Sequence, residues 1–596
     1  MVDANTSGRE PITIVEIDQD LCSLTYGTAP CTASIGTTGS VKCYNTFPSC
    51  QDTANYTNSS LTLRFCKKSS NFPAPDTANL YLPIVENVTT NPTEVNINGG
   101  NPNLGPLGKR ASVTVTMQDI PYNDAFVDKY ISTRGFDPLT RSTFWVKFLA
   151  RNKYYAGRAL RVRDGYIGET PSTMRTRNYI IEKIVGPDAN GRVTITAKDI
   201  LKRADDKRST APVASTYTLQ TTVLSSDDST LQVTLSSGGL TYLNSGYPNN
   251  TYIKIGDEII HWGINLGDPA DTIRMTTRGI SGTTAADHAI GDTVQLCLDY
   301  SDTRVDDVIY DLLTTYGDIV TSYITQADWI AEADTWLTDF NLNTIITEPI
   351  GVSQLVGELC QQCLCFIWWD EINQKIRFKA VRPADKTSIT EITQDANIIE
   401  NSVTVTRDPN QRLSQIWIYY KQVNPTLKLD ETRNYDTIYV NENVTAESAN
   451  EYNEARIKVI YSRWFSSAND GQVITLGSRS LVSYTDDPIY VMFSLDAKDR
   501  SLDVGDVINF THRSFVDTEG AVTAKLLQII SRNEIESGHK IQYKAQFFGF
   551  IGNFANIMPN SANDYTSATD NEKLTGGYIS LDTGKMSDGS DGYKIA

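Results

Sequence analysis

The chain has 596 residues, of which 40% are hydrophobic and 21% charged, and its formal net charge is −18. At roughly 150 residues per domain this length predicts about four domains, each large enough to bury a core. The acidic balance argues against wrapping a nucleic-acid backbone, which needs clustered Lys and Arg, and no stretch approaches the 18 or so apolar residues of a membrane helix.

The N-terminal MVDANTSGREPITIVEID has no apolar core of the kind a secretory signal carries, so synthesis in a cytoplasm is expected. Residues 10–18 alternate apolar and polar and predict a half-buried strand. It leads into a box that holds five of the nine cysteines, Cys22, Cys31, Cys43, Cys50 and Cys66. Gly27, Pro30, Gly36, Gly39, Asn45 and Pro48 mark the box as loop-rich. Thiolates are the usual ligands of iron–sulfur clusters and structural zinc. No CxxC knuckle is present, which counts against zinc. Two disulfides plus a free thiol fit the spacing as well as a cluster does, for a particle that must survive outside a cell. Residues 69–108, rich in Pro, Asn and Gly, predict an irregular excursion or linker.

Strands are predicted at 111–118, 144–152, 155–168 and 178–186, with a strand passing into a short helix over RVTITAKDILKRADD and a helical turn within 124–130. Residues 209–300 predict a small Thr/Ser-rich β-domain inserted in a larger unit. Apolar spacing at Val305, Val308, Ile309, Leu312, Leu313 and Tyr316 predicts a helix, and ADWIAEADTWL and SQLVGELCQQCLC predict two more. FIWWDEINQKIRFKAVRP reads as a hairpin turning at Glu371–Gln374. Strands at QIWIYYKQV, PIYVMFSLD, DVINFTHRS and KIQYKAQFFGF follow, with a helix expected near 446–460. The tail from 557 is polar and too poor in apolar residues to form a core alone. The fold class expected is mainly β with some α, in several domains. The units are 1–108, 109–208, 209–300, 301–400, 401–556 and the tail 557–596.

Catalytic signatures are missing. The four histidines, His261, His288, His512 and His539, form no HExxH or HxH pair, and no GxSxG elbow, Walker A or GxGxxG opens a helix. A glycosidase carboxylate pair forms only in the fold, and nothing in the sequence supports one. The basic stretches RTRNY (175–179) and KRADDKR (202–208) read as solvated faces. In the second cysteine group, Cys297, Cys360, Cys363 and Cys365, core packing is the favoured reading. There Leu355, Leu359 and Cys363 share one helix face.

CSLTYGTAPC, KCYNTFPSC, LTLRF and SNFPAP together resemble the cysteine segment in the C-terminal domain of the lambda tail-tip protein L family. That resemblance implies a 4Fe-4S cluster held by four cysteines: residue by residue, Cys22, Cys31, Cys43 and Cys50. The second pair is spaced more widely than in the family, and Cys66 is an alternative ligand. Further segments resemble siphophage baseplate hub proteins: LGKRASVTVTMQDIP, DKYISTRGFDP, NYIIEKIVGP with AKDIL, IGDEII with TTRGISGTTAADHAIGDTVQLC, and WWDEINQKIRFKAVRP. Their order carries more weight than any one of them. The resemblance implies a non-enzymatic virion protein at the tail tip, homotrimeric, closing the tail tube. Its expected partners are the distal tail protein, the tape-measure protein and tail fibre proteins, with the host envelope engaged indirectly and no nucleic-acid sequence recognised. The alternatives are a cell-wall or glycan-degrading tail hydrolase and a receptor-binding fibre protein.

Overall fold

In the computed structural model the described residues run from 10 to 547. The breaks are at 35–42, 68–79, 98–103, 105–106, 135–140, 168, 206, 228–230, 245–251, 264–270, 383–388, 497–498, 500 and 537–539; residues 563, 565–569 and 573 are also described. His539 and most of the polar tail therefore lie outside the described residues.

Seven strands close a barrel: β1 (Pro11–Cys22), β2 (Asn58–Lys67), β3 (Tyr81–Asn91), β4 (Ser112–Gln118), β5 (Ala159–Tyr166), β6 (Arg175–Val185) and β7 (Arg192–Lys198), in the order β1-β2-β3-β4-β7-β6-β5. Strict alternation explains the closure. In β4, Val113, Val115 and Met117 point into the barrel core beside Val15, Ile17 and Phe65, while the intervening Ser, Thr and Gln face outward. Closing the sheet also removes exposed edges. The barrel draws strands from both sides of residue 108.

Three expectations in this region are corrected. The supposed linker 69–108 contains β3, a full barrel strand. Residues 144–152 are not a strand: Phe144–Arg151 is a helix, with Phe144, Trp145 and Phe148 buried against the barrel core. Its start is tied by Asp119, whose carboxylate accepts the Trp145 amide at 2.8 Å and the Thr143 hydroxyl. Asp124–Tyr130 is a turn with left-handed backbone at Asp124 and Phe126, and the short helix follows at Ile131–Arg134.

The inserted unit is a five-stranded sheet, ordered Val294–Leu296, Tyr252–Ile255, Glu258–Gly263, Thr272–Thr277 and Gln232–Thr234, with its own core. The largest core follows. It is built on helices Val305–Asp311, Gln326–Trp336 and Val352–Gln362 and on the hairpin Cys365–Asp370/Lys375–Ala380. A six-stranded sheet then combines Thr390–Thr393, Val507–Val516, Val522–Glu536, Lys540–Phe547, Ile489–Asp496 and Thr404–Arg407. A three-stranded sheet, Tyr435–Glu442, Gln415–Gln422 and Ile457–Tyr461, lies against the helix Asp470–Tyr484. The helix expected near 446–460 is absent; turns there give way to the strand Ile457–Tyr461. The helical pattern falls later, with Val473, Leu476, Gly477, Ser480, Leu481 and Tyr484 buried on one face. The chain is β-rich and multi-domain, as the sequence predicted.

RTRNY is not a solvated face. Arg177 and Tyr179 are buried in β6, with Arg177 paired to Asp164 and the Tyr179 hydroxyl donating to Glu371 at 2.7 Å. Trp369 Nε1 donates to the Asn178 carbonyl at 3.2 Å, and Arg175 pairs with Glu534. The 365–380 hairpin is thus tied to barrel strand β6, which is itself tied to the six-stranded sheet.

Candidate metal centre

The cysteine box hangs from one end of the barrel. Strand β1 delivers Cys22 at its last residue, where it pairs with Asn58 at the start of β2. Between them the chain forms loops with two single 3-10 turns, Phe47–Ser49 and Thr53–Asn55. Each loop is tied to the next. The Cys22 amide donates to the Asn45 carbonyl at 2.6 Å, and Asn45 Nδ2 donates to the carbonyls of Cys22 and Leu24 at 3.5 and 3.4 Å. These bonds hold the Cys43 loop against the Cys22 strand. The Thr32 amide and hydroxyl both donate to the Asp52 carboxylate, at 2.7 and 2.9 Å. That holds the Cys31 loop against the Cys50 loop.

Cys22, Cys31, Cys43 and Cys50 consequently share one electrostatic environment. Burial pushes the Cys50 thiol up, and the nearby thiols of Cys43, Cys22 and Cys31 push it further. The Asp52 amide donates to the Cys50 sulfur at 3.4 Å, the kind of backbone bond that favours a thiolate. Cys22 and Cys43 are buried, whereas Cys31 and Cys50 are half-buried. None of the nine cysteines is in a disulfide. Among the described residues no three His, Cys, Asp or Glu side chains are set to hold a single ion.

Cys66 lies elsewhere. It pairs with Ile14, eight register steps from the Cys22–Asn58 pair, or about 26 Å at strand rise. It packs with Ile12, Ile14, Tyr81 and Met174, and burial alone pushes its thiol up to about 11.

The downstream cysteines are core residues. Cys297, Cys360, Cys363 and Cys365 are all buried, and burial drives the thiols of Cys363 and Cys365 well above their ordinary value. A thiol held protonated in this way is a poor nucleophile. Leu355, Leu359 and Cys363 do share the buried helix face expected of them.

Two other polar sites stand out. Glu258 is fully buried and accepts from Arg278 Nε and Nη2, the amides of Gly279 and Ala286, and His288 Nε2 at 2.8 Å. Burial works against its charge, but the bonds from His288 and Arg278 and the Ala286 amide win and hold its carboxyl down to about 2. This network ties the loop 278–288 to the inserted sheet, so His288 is a structural histidine. A cleft of about 520 Å³ between the inserted sheet and the segments around 299, 343 and 421 contains Asp299 and Asp436. Burial raises Asp299 to about 6.

The sequence marks the four thiols and marks Asn45 only as a turn residue; it gives no sign that Asn45 and Asp52 tie their loops together.

No protein-family model and no curated protein sequence matches the chain. Among solved structures it is similar to the 43 kDa tail protein of prophage MuSo2 from Shewanella oneidensis, with 9% identity and a TM-score of 0.35, over 78% of this chain and 97% of that one. It is also similar to a tail protein from Neisseria meningitidis MC58, with 9% identity and a TM-score of 0.32, over 73% and 88%. A third is prophage tail protein gp18 from Listeria monocytogenes EGD-e, with 10% identity and a TM-score of 0.28, over 82% and 91%. With every score below 0.5 these likenesses are loose.

Proposed function

We propose that the chain is a structural virion protein, the tail-tip hub of a long-tailed phage. It works as a homotrimer that closes the tail tube and meets the distal tail, tape-measure and fibre proteins. On this reading the cysteine box holds one 4Fe-4S cluster through Cys22, Cys31, Cys43 and Cys50, with Cys66 outside. The observation that supports it is the set of hydrogen bonds tying the loops of those four cysteines pairwise at one end of the barrel, in the box whose sequence resembles the L-type segment. The cluster, when bound, supplies a covalent staple for loops that bury little apolar surface of their own, and so makes metal binding part of the folding energy. The chain's residues do the rest: Asn45 and Asp52 hold the loops in register, and the Asp52 amide stabilises the Cys50 thiolate.

Iron and acid-labile sulfide analysis of the full chain purified without oxygen, with its visible absorption spectrum, tests the reading. About four irons per chain, with matching sulfide and visible absorption, are expected. Iron-free, colourless protein sinks the cluster; a monomer by light scattering at tens of micromolar sinks the trimer. The hydrolase alternative draws on one observation, the two carboxylates of the 299–436 cleft, and zymography on cell wall or capsule decides it.

A further inference from the structure

The inserted unit stands on a narrow stem. The chain leaves the body after Ala211, whose strand pairs with Ile350–Gly351, and returns at Leu298, which opens a strand paired with Asn341–Ile346. Between those points the unit folds on its own core, whose described residues all lie within 217–296. Gln295 binds the outgoing and returning connectors side by side. Its Nε2 donates to the Val213 carbonyl at 2.9 Å, and its Oε1 accepts the Ser215 amide at 3.0 Å. Two covalent links placed together act as one and leave rotation about the stem open.

Away from the stem, a prong of the unit meets the body. The prong is the loop 278–288, made rigid by the Glu258 carboxylate to which Arg278, Gly279, Ala286 and His288 all donate. At its tip Gly282 lies against the Val423 backbone. A Cβ there would run into the Val423 carbonyl oxygen, and its φ of 76° is one that glycine adopts without cost. The Gly282 carbonyl accepts from Asn424 Nδ2 at 3.5 Å. The receiving turn is equally fixed, with the Val423 and Asn424 amides both donating to Asn434 at 2.9 Å. Lys254 of the unit also pairs with Glu348 at 2.8 Å, but Glu348 is 67% exposed, and exposed pairs hold little. Clefts of about 520 and 900 Å³ open against the contact, the first reaching Ser281 and Val423 and the second Gly282 and Asn424.

Two rigid elements that meet at backbone atoms between open clefts make a small polar contact, and domains joined by such contacts move relative to one another. We propose that the inserted sheet is a hinged arm. It swings on the stem tied by Val213 and Gln295, and the Gly282–Val423 contact is the latch that holds it against the body. Opening merges the two clefts into one exposed face without unfolding either core. The inference stands apart from the cluster and trimer readings above.

Small-angle X-ray scattering of the full chain tests it. The closed reference is wild type joined from Lys254 to Glu348 by a zero-length carbodiimide cross-linker, the link identified by peptide mass spectrometry. Two variants release the latch by different routes. Gly282→Val places a side chain against the Val423 carbonyl, and Lys254→Glu sets like charges face to face at Glu348. Both are expected to shift the radius of gyration upward from the cross-linked reference, with free wild type lying between. Hydrogen exchange of Tyr252–Ile255 and Glu258–Gly263 is expected to stay as slow as in wild type. If Gly282→Val distorts the prong, as faster exchange there would show, Lys254→Glu decides alone. Scattering curves that superpose on the reference overturn the hinge. Loss of protection in the inserted strands of Lys254→Glu overturns it too, because the unit then depends on the body for its fold. A wild type that yields no link between Lys254 and Glu348 overturns the latched position.

Discussion

Cys22 and Cys66 sit on adjacent antiparallel strands, yet the pairing sets them at opposite ends of the β1–β2 ladder: Cys22 opposite Asn58, Cys66 opposite Ile14. One ends in the loop cluster, the other in an apolar contact with Tyr81 and Met174. Two cysteines of the same box thus have different fates. Cys50→Ser is expected to lose most of the iron and visible absorbance of protein purified without oxygen, whereas Cys66→Ala keeps them. Cys66→Ala instead loses core contacts, on the order of 1 kcal/mol of stability by urea denaturation. Iron loss in the Cys66 variant would place it among the ligands.

Asp119 gives the helix Phe144–Arg151 its start by accepting from the Thr143 hydroxyl and the Trp145 amide. Asp119→Ala removes both acceptors. The expected cost is about 1 kcal/mol, as for a lost helix cap, seen as a lower urea midpoint at unchanged slope. An unchanged midpoint would mean that the burial of Trp145 and Phe148 alone fixes the helix.

Glu258 couples the inserted sheet to acid. Its carboxyl is held at about 2 in the fold, below the ordinary value of 4.5. Its stabilising contribution is therefore complete above about pH 4.5 and disappears as pH falls toward 2. By linkage the loss amounts to about 3 kcal/mol. Hydrogen exchange of strands Tyr252–Ile255 and Glu258–Gly263 should speed up over that window before the barrel strands do. Arg278→Met leaves the buried carboxylate short of a partner and is expected to destabilise the sheet by about 3–5 kcal/mol at neutral pH. Barrel strands exchanging first in acid would refute this.

Asp199 has the opposite sign. It is fully buried, one oxygen accepts the Ala111 amide at 3.0 Å, and the other has no partner. Burial raises its carboxyl to about 6. Folding favours the protonated form, so stability is highest below about pH 4 and falls as pH rises through 6. Asp199→Asn keeps an acceptor for Ala111 without the charge. At pH 7.5 it is expected to stabilise the chain by about 3 kcal/mol, and by about 1 kcal/mol at pH 4.5. Thermal melts at the two pH values measure the difference, and a gain independent of pH would show that the charge is not the cause.

How much of this was legible in the chain depended on the length of each pattern. Long alternating runs such as Ser112–Gln118 and Gln415–Gln422 read as strands and are strands, because a half-buried sheet face imposes period two over several residues. Phe144–Arg151 was misread because a run of eight rich in Phe, Trp and Val satisfies either period. Its helical state comes from Asp119 and from the barrel core its aromatics enter. Strand β3 was missed because its outward residues, Glu86, Asn87, Thr89 and Asn91, read as loop. Pairing with β2 and β4 holds them extended instead.

By itself the sequence determined that the chain is β-rich, that it carries several cores, and that five cysteines crowd into 45 residues. Closeness along the chain could not say which of them meet, since Cys66 follows Cys50 by 16 residues and Cys43 follows Cys31 by 12. Only the tertiary structure decided it. Antiparallel pairing of β1 and β2 carries Cys66 back along the barrel, away from the loops, while the Asn45 bonds tie the Cys43 loop to the Cys22 strand and the Asp52 bonds tie the Cys31 loop to the Cys50 loop.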